Sequence, residues 1–303
     1  MLCRTVAYHF IALLILLSCC EARGEDWPTY LNDNTRVGAT SESLQFPLHA
    51  QWQWKSGTAP QSAWEGPRNE PIEGLVMKHR ARFDDAHHVA IVGNRVYFGS
   101  AVDHQLRCVD AASGKDVWRF FTGGPVRLAP TIHKGRVYFG SDDGCVYCLE
   151  ATTGQEVWKL QVGPRVERLL ARGQMISRWP VRTGVLIADD MAYFGAGIFP
   201  HETVYLCAAD ANTGRLLWKN DHVSQYDAGR NDLSPQGYLL ANEELLFVPS
   251  GNSLPAAFDR KTGEHVFKKS YAWRTTAGGE IGGTQALLSD GQLYSAGSHH
   301  FLA

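Results

Sequence analysis

The sequence predicts an all-β fold made of repeated four-stranded units, and three observations predict it. A strand-like segment centred on Tyr-Phe-Gly recurs along the chain, and a turn that runs from an acidic residue to a glycine follows each full copy. Nine tryptophans and 30 glycines provide large packing groups and tight turns. The chain has 303 residues, 44% of them apolar and 20% charged, which excludes disordered and collagen-like classes.

The strand-like segment is Arg95–Ser100, which recurs as Arg136–Ser141 and more loosely as Met191–Ala196 and Glu244–Pro249. A further copy begins at Gly291. Because Val, Tyr and Phe favour extended backbone, each copy predicts a β-strand.

A turn and a second strand follow each full copy. Four segments carry this block: Val109–Trp118, Leu149–Trp158, Ala209–Trp218 and Phe258–Phe267. The acidic residue opens the turn by accepting backbone N–H bonds, and the glycine four residues later closes it with φ > 0. The last strand is expected to end at the aromatic residue.

The closing aromatic residues lie 40, 60 and 49 residues apart. Four-stranded units at this spacing predict the blades of a β-propeller, whereas a β-helix would need a shorter and stricter period.

The pattern D-x-x-T-G-x-x-x-W, complete in Asp210–Trp218, resembles the tryptophan-docking repeat of the pyrroloquinoline-quinone (PQQ) enzyme-like propellers. The resemblance covers roughly residues 85–303 and implies that each tryptophan stacks on the turn of the neighbouring blade. The opening Asp26–Tyr30, with Asn34–Arg36 behind it, resembles the lead-in of quinoprotein dehydrogenases.

We therefore divide the chain into a signal peptide (1–24), a lead-in with an orphan outer strand (25–84) and PQQ-like propeller repeats (85–303). The orphan strand, Leu48–Lys55, carries tryptophan, and such a strand usually completes the last blade. The fifth unit stops at Phe301–Ala303, before its acidic turn. Either the orphan strand closes a five-bladed ring, or the chain is the N-terminal part of a longer protein. We predict the second, because propellers of this kind usually have eight blades.

The N-terminus has the pattern of a targeting segment. Arg4 precedes the apolar run Phe10–Leu17, which is too short to span a bilayer and suits a signal peptide. Cleavage after Ala22 or Gly24 and lipidation at Cys19 are the two alternatives, and both predict export to the periplasm or cell envelope. No second apolar stretch approaches membrane-spanning length.

The composition also limits the partners. The chain has 29 Lys and Arg against 31 Asp and Glu, a net charge of −2. Without a basic field, neither nucleic acid nor an anionic membrane surface is expected as the main partner.

The resemblance suggests redox chemistry, which the residues do not support. Quinoprotein alcohol dehydrogenases use a vicinal disulfide and a calcium ion, but the only vicinal pair here, Cys19–Cys20, lies in the targeting segment. A C-x-x-C-H haem motif is absent from the sequence. We predict no catalytic residue and no evident cofactor, and PQQ with calcium stays an alternative that no residue supports.

Other motifs have structural interpretations. Cys145 and Cys148 would point to opposite faces of a strand, so they do not form a zinc or redox pair. His87–His88 and His299–His300 offer at most one inward imidazole each, and no metal site is predicted. The glycine-rich run 277–283 lacks the Lys of a phosphate loop and is expected to be a flexible loop.

Three insertions are expected to lie on one face and to carry function: Pro164–Arg182, which could form one or two helical turns, Asp221–Gln236, and the irregular segment 56–84.

The central funnel is the expected ligand site, because the innermost strand of each blade starts there. The register places six candidate residues around it: Arg127, Arg182, Asp85, His88, Asp232 and Gln236. Two converging arginines would favour a small anionic ligand such as a carboxylate. The alternative is that they are solvated loop ends paired with nearby aspartates.

The sequence thus predicts a binding or scaffold module of the cell envelope, with a protein or a small anion as partner. Its fold would be similar to that of the lipoprotein that assists outer-membrane protein assembly. A quinoprotein oxidoreductase, with its catalytic residues elsewhere, is the first alternative. A sensory propeller fused to an enzyme is the second, since the fold does not set the function.

Overall fold

A computed structural model describes residues 24–63, 71–72, 75–76, 84–198, 202–223, 233–250, 255–268, 285–296 and 301–302. Strands, turns and irregular segments make up these ranges, which contain no α-helix. The targeting segment, Asp232, the run 277–283 and His299–His300 lie outside the described residues.

Of the 25 strands in the described ranges, 19 form four sheets of four strands and one of three, each an antiparallel meander, and the other six form two-stranded pairs. The first blade contains β3 (Val89–Val92), β4 (Arg95–Ser100), β5 (Gln105–Asp110) and β6 (Asp116–Phe121), and follows the short pair β1 (Pro71–Ile72) and β2 (Leu75–Val76). The second contains β7 (Thr131–His133), β8 (Arg136–Gly140), β9 (Cys145–Glu150) and β10 (Glu156–Gln161).

A hairpin, β11 (Arg168–Ala171) and β12 (Gln174–Ser177), and the short β13 (Thr183–Gly184) precede the third blade. That blade contains β14 (Leu186–Ala188), β15 (Met191–Ala196), β16 (Tyr205–Asp210) and β17 (Leu216–Asn220). After β18 (Gly237–Tyr238), the fourth contains β19 (Leu240–Ala241), β20 (Leu245–Val248), β21 (Ala256–Asp259) and β22 (His265–Lys268). The fifth sheet contains β23 (Gln285–Ser289), β24 (Gln292–Ala296) and β25 (Phe301–Leu302).

The predicted all-β architecture of four-stranded propeller blades is confirmed. The Tyr-Phe-Gly segment is the second strand of its blade, and β4 and β15 have the predicted bounds. Two local expectations were wrong. The outer strands continue past the tryptophan, and the insertion after β10 forms the β11–β12 hairpin instead of helical turns.

The acidic turns have the predicted geometry. The Asp110 carboxylate accepts bonds from the Ser113 amide (2.9 Å) and hydroxyl (2.8 Å). The Gly114 amide donates to the Asp110 carbonyl at 2.8 Å, and Gly114 has φ +68°. A side chain would be strained at that φ, so glycine closes the turn at low cost.

The tryptophans of the outer strands β6, β10 and β17 lie on the acidic turn of the next blade. Trp118 Nε1 donates to the Ala151 carbonyl at 3.0 Å, and a Cβ atom on Gly154 would lie 2.6 Å from the Trp118 ring. Trp158 and Trp218 make the same contacts, donating to the carbonyls of Ala211 (2.9 Å) and Arg260 (3.1 Å). Indole rings therefore tie the outer rims of successive blades together.

The segment around Trp52 has a different conformation from the predicted one. Residues 47–56 have no regular strand structure, so the prediction that Leu48–Lys55 forms an outer β-strand was wrong. Trp52 nevertheless occupies the outer-strand position, because its Nε1 donates to the Ala111 carbonyl at 2.7 Å and its ring lies on Gly114. The first blade is therefore covered on its outer rim like the others.

The glycine of Tyr-Phe-Gly allows close packing between blades. A Cβ atom on Gly140 would lie 2.3 Å from Val181 Cγ1, because the segment that leads into the third blade passes directly over β8. Gly99 and Gly195 meet Val126 and Pro235 in the same way. The glycine in β4, β8 and β15 thus sets how closely the next blade approaches.

The lead-in crosses the innermost strand of every described blade. Trp27 pairs with Ile91 of β3 through two backbone bonds (2.7 and 2.8 Å). The amides of Ile132 in β7, Ala241 in β19 and Leu288 in β23 donate to the carbonyls of Pro28 (2.8 Å), Asn34 (3.1 Å) and Thr35 (2.8 Å), respectively. The Asn34 side-chain amide donates to the Ile187 carbonyl of β14 at 2.8 Å. Because these strands form the inner edges of five sheets, the lead-in lies on the axis around which the blades are arranged.

Arg36 fixes the end of the lead-in. Its side chain is 1% exposed and donates to the carbonyls of Leu239 (3.1 Å), Tyr30 (2.8 Å) and Asp33 (2.9 Å) and to the Thr29 hydroxyl (3.0 Å). Burial lowers the pKa of Arg36 to about 10, so the guanidinium stays charged at neutral pH. One side chain therefore satisfies the carbonyls of a segment that crosses the axis without forming a strand.

We expect Gly140→Ala to destabilise the protein by about 1 to 3 kcal/mol, because the added methyl group cannot fit against Val181 without moving the third blade. Denaturant unfolding followed by circular dichroism measures the effect. Gly57→Ala is the matched control, since a Cβ atom there meets nothing within 4 Å. Equal stability of the two variants would contradict the packing described.

Candidate functional site

Equivalent segments converge at one end of the blades. Arg127, Arg182 and Gln236 each lie four residues before the first strand of a blade, and Asp85 has the same offset from β3. Arg127, Arg182 and Gln236 directly follow the residues that pack on the equivalent glycines of β4, β8 and β15. The blade packing therefore fixes the depth at which these side chains lie.

The structure brings Arg127 and Arg182 together on one carboxylate. Arg127 Nε donates to Asp142 Oδ2 at 2.7 Å, and Arg182 Nε and Nη2 donate to Asp142 Oδ1 and Oδ2 at 3.0 Å each. Arg127 Nη1 also donates to Asp84 Oδ2 at 2.7 Å. Two guanidiniums and two carboxylates form a network with no formal net charge.

This network is buried. Asp142 is 0% exposed, Asp84 and Arg182 are each 2% exposed, and Arg127 is 9% exposed. The two arginines are therefore buried and paired with aspartates. They are not exposed to solvent, as the alternative of solvated loop ends expected. Such a network is stable only when every charge has a partner, because unpaired burial of an ion costs several kcal/mol.

The pKa values follow from this pairing. Burial alone would raise the pKa of Asp142, but the charges of Arg182 and Arg127 and their hydrogen bonds outweigh it and hold that pKa below its usual range. Burial alone would lower the pKa of Arg127, whereas Asp142 and Asp84 raise it above the ordinary value. Both groups are ionised at neutral pH.

The segment 58–63 covers part of the network. The Gln61 carbonyl accepts a bond from Arg127 Nη1 at 2.7 Å, and the Ala63 amide donates to Asp84 Oδ2 at 2.7 Å. Beside it lies an open cleft of about 540 Å³, lined by residues that include Asp85, Gln61 and Arg172. Asp85 is exposed and therefore faces this cleft rather than the buried arginines.

His88 and Gln236 lie in separate contacts. His88 Nδ1 is hydrogen-bonded to the hydroxyl of Tyr238 at 2.6 Å, and the same hydroxyl accepts a bond from the Ala129 amide at 2.7 Å. Burial lowers the pKa of His88. Gln236 Nε2 donates to the Ser234 hydroxyl at 2.9 Å. Asp232, the remaining predicted site residue, lies outside the described part of the chain.

Sequence reasoning missed the groups that complete the site. Asp142 lies on the turn between β8 and β9, and its role could be predicted only by knowing which turn faces Arg127 and Arg182. Tyr30 of the lead-in stacks on Tyr238 with ring centroids 3.8 Å apart, so the axis is packed with aromatic rings. The only available signal was the similarity of the lead-in to that of the quinoprotein dehydrogenases.

The four cysteines of the described ranges lie in the core. Cys108, Cys145, Cys148 and Cys207 are buried free thiols, and burial raises the pKa of each, so none is an activated nucleophile. Cys145 and Cys148 belong to different core clusters, on opposite faces of β9. Within the described ranges, no group of three or more His, Cys, Asp or Glu side chains could hold a metal ion.

We expect Asp142→Asn to destabilise the protein by about 3 to 5 kcal/mol at pH 7, because it leaves two buried guanidiniums undercompensated. A carboxyl whose pKa is lowered in the folded state stabilises the fold above its unfolded pKa of about 3.9 and loses this contribution as the pH falls through the folded pKa. Wild-type stability should therefore fall below about pH 4, and the variant should show less of this dependence.

Urea unfolding between pH 3 and 7 measures this difference, with Asp103→Asn as a control on a solvent-accessible ion pair. A parallel pH dependence for Asp142→Asn and wild type would show that Asp142 does not carry the linkage.

Residues 50–196 match the family described as outer membrane protein assembly factor BamB. A comparison with curated protein sequences gave no match. Among the described residues, we find no helix with the length and apolar character to cross a membrane.

Several solved structures have a similar fold. A quinohemoprotein alcohol dehydrogenase from Pseudomonas putida HK5 matches with a TM-score of 0.53 and 18% identity, over 69% of this chain and 38% of its own. The quinohemoprotein alcohol dehydrogenase from Comamonas testosteroni matches with a TM-score of 0.53 and 16% identity, over 91% and 46%. A europium-containing methanol dehydrogenase gives 0.53 and 13%, over 94% and 56%.

The chain thus spans between 38% and 56% of the length of these three proteins, and at such identities the likeness concerns the fold. The recurring strands, the acidic turns and the family match agree with this likeness in fold. The chain is a β-propeller protein built from PQQ-like repeats.

Proposed function

We propose that this chain is a binding or scaffold module of the cell envelope. The observation that carries the proposal is that protein groups already fill the centre of the blades. The lead-in bonds to the inner edge of each described blade, and Arg127 and Arg182 are bonded to Asp84 and Asp142. Partners are then bound by the loops and hairpins that surround this rigid centre.

Two features support a place in the envelope. The leader-like segment 1–24 predicts export, and the family that residues 50–196 match is described by a role in outer membrane protein assembly. Residues 50–196 include the first two blades, the β11–β12 hairpin and all four residues of the charged network. The proposal therefore assigns the binding role to this part of the chain.

A quinoprotein oxidoreductase is the alternative suggested by the structural likeness. The described network does not fit a quinone that carries several carboxylates, because its two guanidiniums are already hydrogen-bonded to Asp84 and Asp142 and the site has no formal net charge. For the same reason, a small anion on Arg127 and Arg182 does not enter the proposal.

Cross-linking in intact cells tests the proposal directly. We expect the affinity-tagged full chain to fractionate with the envelope and to form discrete cross-linked complexes with other proteins. In parallel, the purified chain with PQQ, Ca²⁺ and a primary alcohol should not reduce an electron-accepting dye above the rate without protein. A chain without cross-linked partners would contradict the proposal, and PQQ-dependent dye reduction would support the oxidoreductase.

A further inference from the structure

The β11–β12 hairpin lies between the second and third blades, just before Arg182. Its strands pair Arg168 with Ser177, Leu169 with Ile176, Leu170 with Met175 and Ala171 with Gln174. Arg172 and Gly173 form the two-residue turn, with φ +52° and +77°. Two successive residues with positive φ give the turn that matches the twist of a hairpin, so this insertion has a defined conformation.

The hairpin is anchored along its length to the loops at the site. At its tip, Arg172 Nη1 donates to the Ser62 carbonyl at 2.6 Å, and Gln174 Nε2 donates to the Ala101 carbonyl at 3.1 Å. At its base, the Ser177 amide donates to the Asp142 carbonyl at 2.6 Å. These bonds connect the hairpin to the first and second blades, so it is a rigid platform.

Arg178 reinforces the base. Its guanidinium donates to Glu167 at 2.5 Å and to both carboxylate oxygens of Glu202 at 2.7 and 2.8 Å. It also lies over the ring of Trp179, 5.8 Å from the centroid, and Trp179 is itself buried. The base of the hairpin is therefore held by charge pairs and by packing.

Apolar side chains are exposed on this platform. Leu170 and Met175, which face each other across the hairpin, are 70% and 46% exposed, and Val166 just before β11 is 75% exposed. Cross-strand partners share one face of a sheet, so Leu170 and Met175 form a continuous apolar surface. Rigid and exposed apolar groups of this kind are typical of protein interaction sites.

The backbone edge of β11 is also open. The Arg178 amide donates to the Glu167 carbonyl at 2.9 Å, which makes these residues a hydrogen-bonded pair. Because such pairs alternate along an antiparallel ladder, Arg168 and Leu170 direct their N–H and C=O groups away from β12. No backbone hydrogen bond among the described residues uses these outward groups, whereas the outward amide of Ser177 on the other edge is bonded to Asp142.

The charge along this edge is positive. Arg168 is exposed and makes no ion pair with any residue in the described ranges, whereas the neighbouring Arg165 pairs with Glu167 at 2.7 Å. An open strand edge can bind an extended peptide, whose main chain adds hydrogen bonds and whose alternate side chains give specificity. Arg168 and Leu170 are two residues apart on one face of β11, so they select a carboxylate and an apolar side chain that are also two residues apart in the bound strand.

We propose that the β11 edge binds an extended segment of a partner protein in which an acidic and an apolar side chain lie two residues apart, on the same face of the bound strand. This inference rests on the proposed binding function and assigns it to one surface. The partner strand would pair with the outward groups of Arg168 and Leu170. It would place apolar side chains on Leu170 and Met175 and a carboxylate near Arg168.

The test uses the purified full chain and a fluorescein-labelled decapeptide, Thr-Glu-Thr-Leu-Thr-Glu-Thr-Leu-Thr-Glu, in which Glu and Leu alternate on one face of the extended chain. We expect Leu170→Ser combined with Met175→Ser, and separately Arg168→Glu, to weaken binding at least tenfold in fluorescence anisotropy. Phe121→Ser is the matched control, because Phe121 is 68% exposed on the outer edge strand β6, and it should leave binding unchanged. The unfolding midpoints of all variants show that the fold is kept.

Two further probes test the chemistry of the partner. The same peptide with alternate backbone nitrogens methylated should lose binding, and the decapeptide with Lys in place of each Glu should not bind. Equal binding of the Glu and Lys peptides, no effect of the hairpin substitutions, or hairpin-dependent binding to phosphatidylglycerol vesicles in place of the peptide would each overturn the inference.

The cross-linking experiment separates this inference from the proposed function. If the double hairpin variant keeps the envelope complexes of the wild type, the β11 edge is not the binding surface and the binding function stands. If the wild type itself forms no complexes, the binding function fails.

Discussion

The free inner edges of the blades are the constraint on which this structure depends. The innermost strand of each sheet has one edge without a neighbouring strand, and its backbone groups need partners once they are buried. Residues 27–36 provide partners for one strand of every described blade. Arg36 in turn satisfies carbonyls of that segment and the Leu239 carbonyl before β19. The blades are therefore joined at their centre by the lead-in, which lies outside the repeats.

The blades are joined at two radii by different contacts. Near the axis, a glycine in the second strand lets the next blade approach, and at the rim an indole ring covers the next acidic turn. Both contacts recur at each step between the first four blades, so the loops that follow them are placed at equivalent depths. Arg127 and Arg182 converge for this reason, and Asp142 from the intervening turn neutralises them. A neutral, buried network stiffens the site and leaves recognition to the exposed insertions.

The parts predicted from the sequence are those set by local chemistry. The strands at Arg95–Ser100 and Met191–Ala196 and the turn at Asp110 follow from β-propensity and from glycine conformation, which act within a few residues. Asp142 could not be predicted, because its partners come from two other segments of the chain. The β11–β12 hairpin was missed because a short apolar-polar pattern does not distinguish a strand from a helical turn.

Hydrogen exchange measured by mass spectrometry on wild type and Arg36→Met tests the central role of the lead-in most directly. The amides of Ile132, Ala241 and Leu288 donate to the lead-in from three different blades. If the lead-in holds the blades at the axis, loss of the Arg36 contacts lowers the protection of all three amides together, while the outer strands keep theirs. Unchanged protection, or a loss confined to the peptide around Leu239, would show that the blades hold together without it.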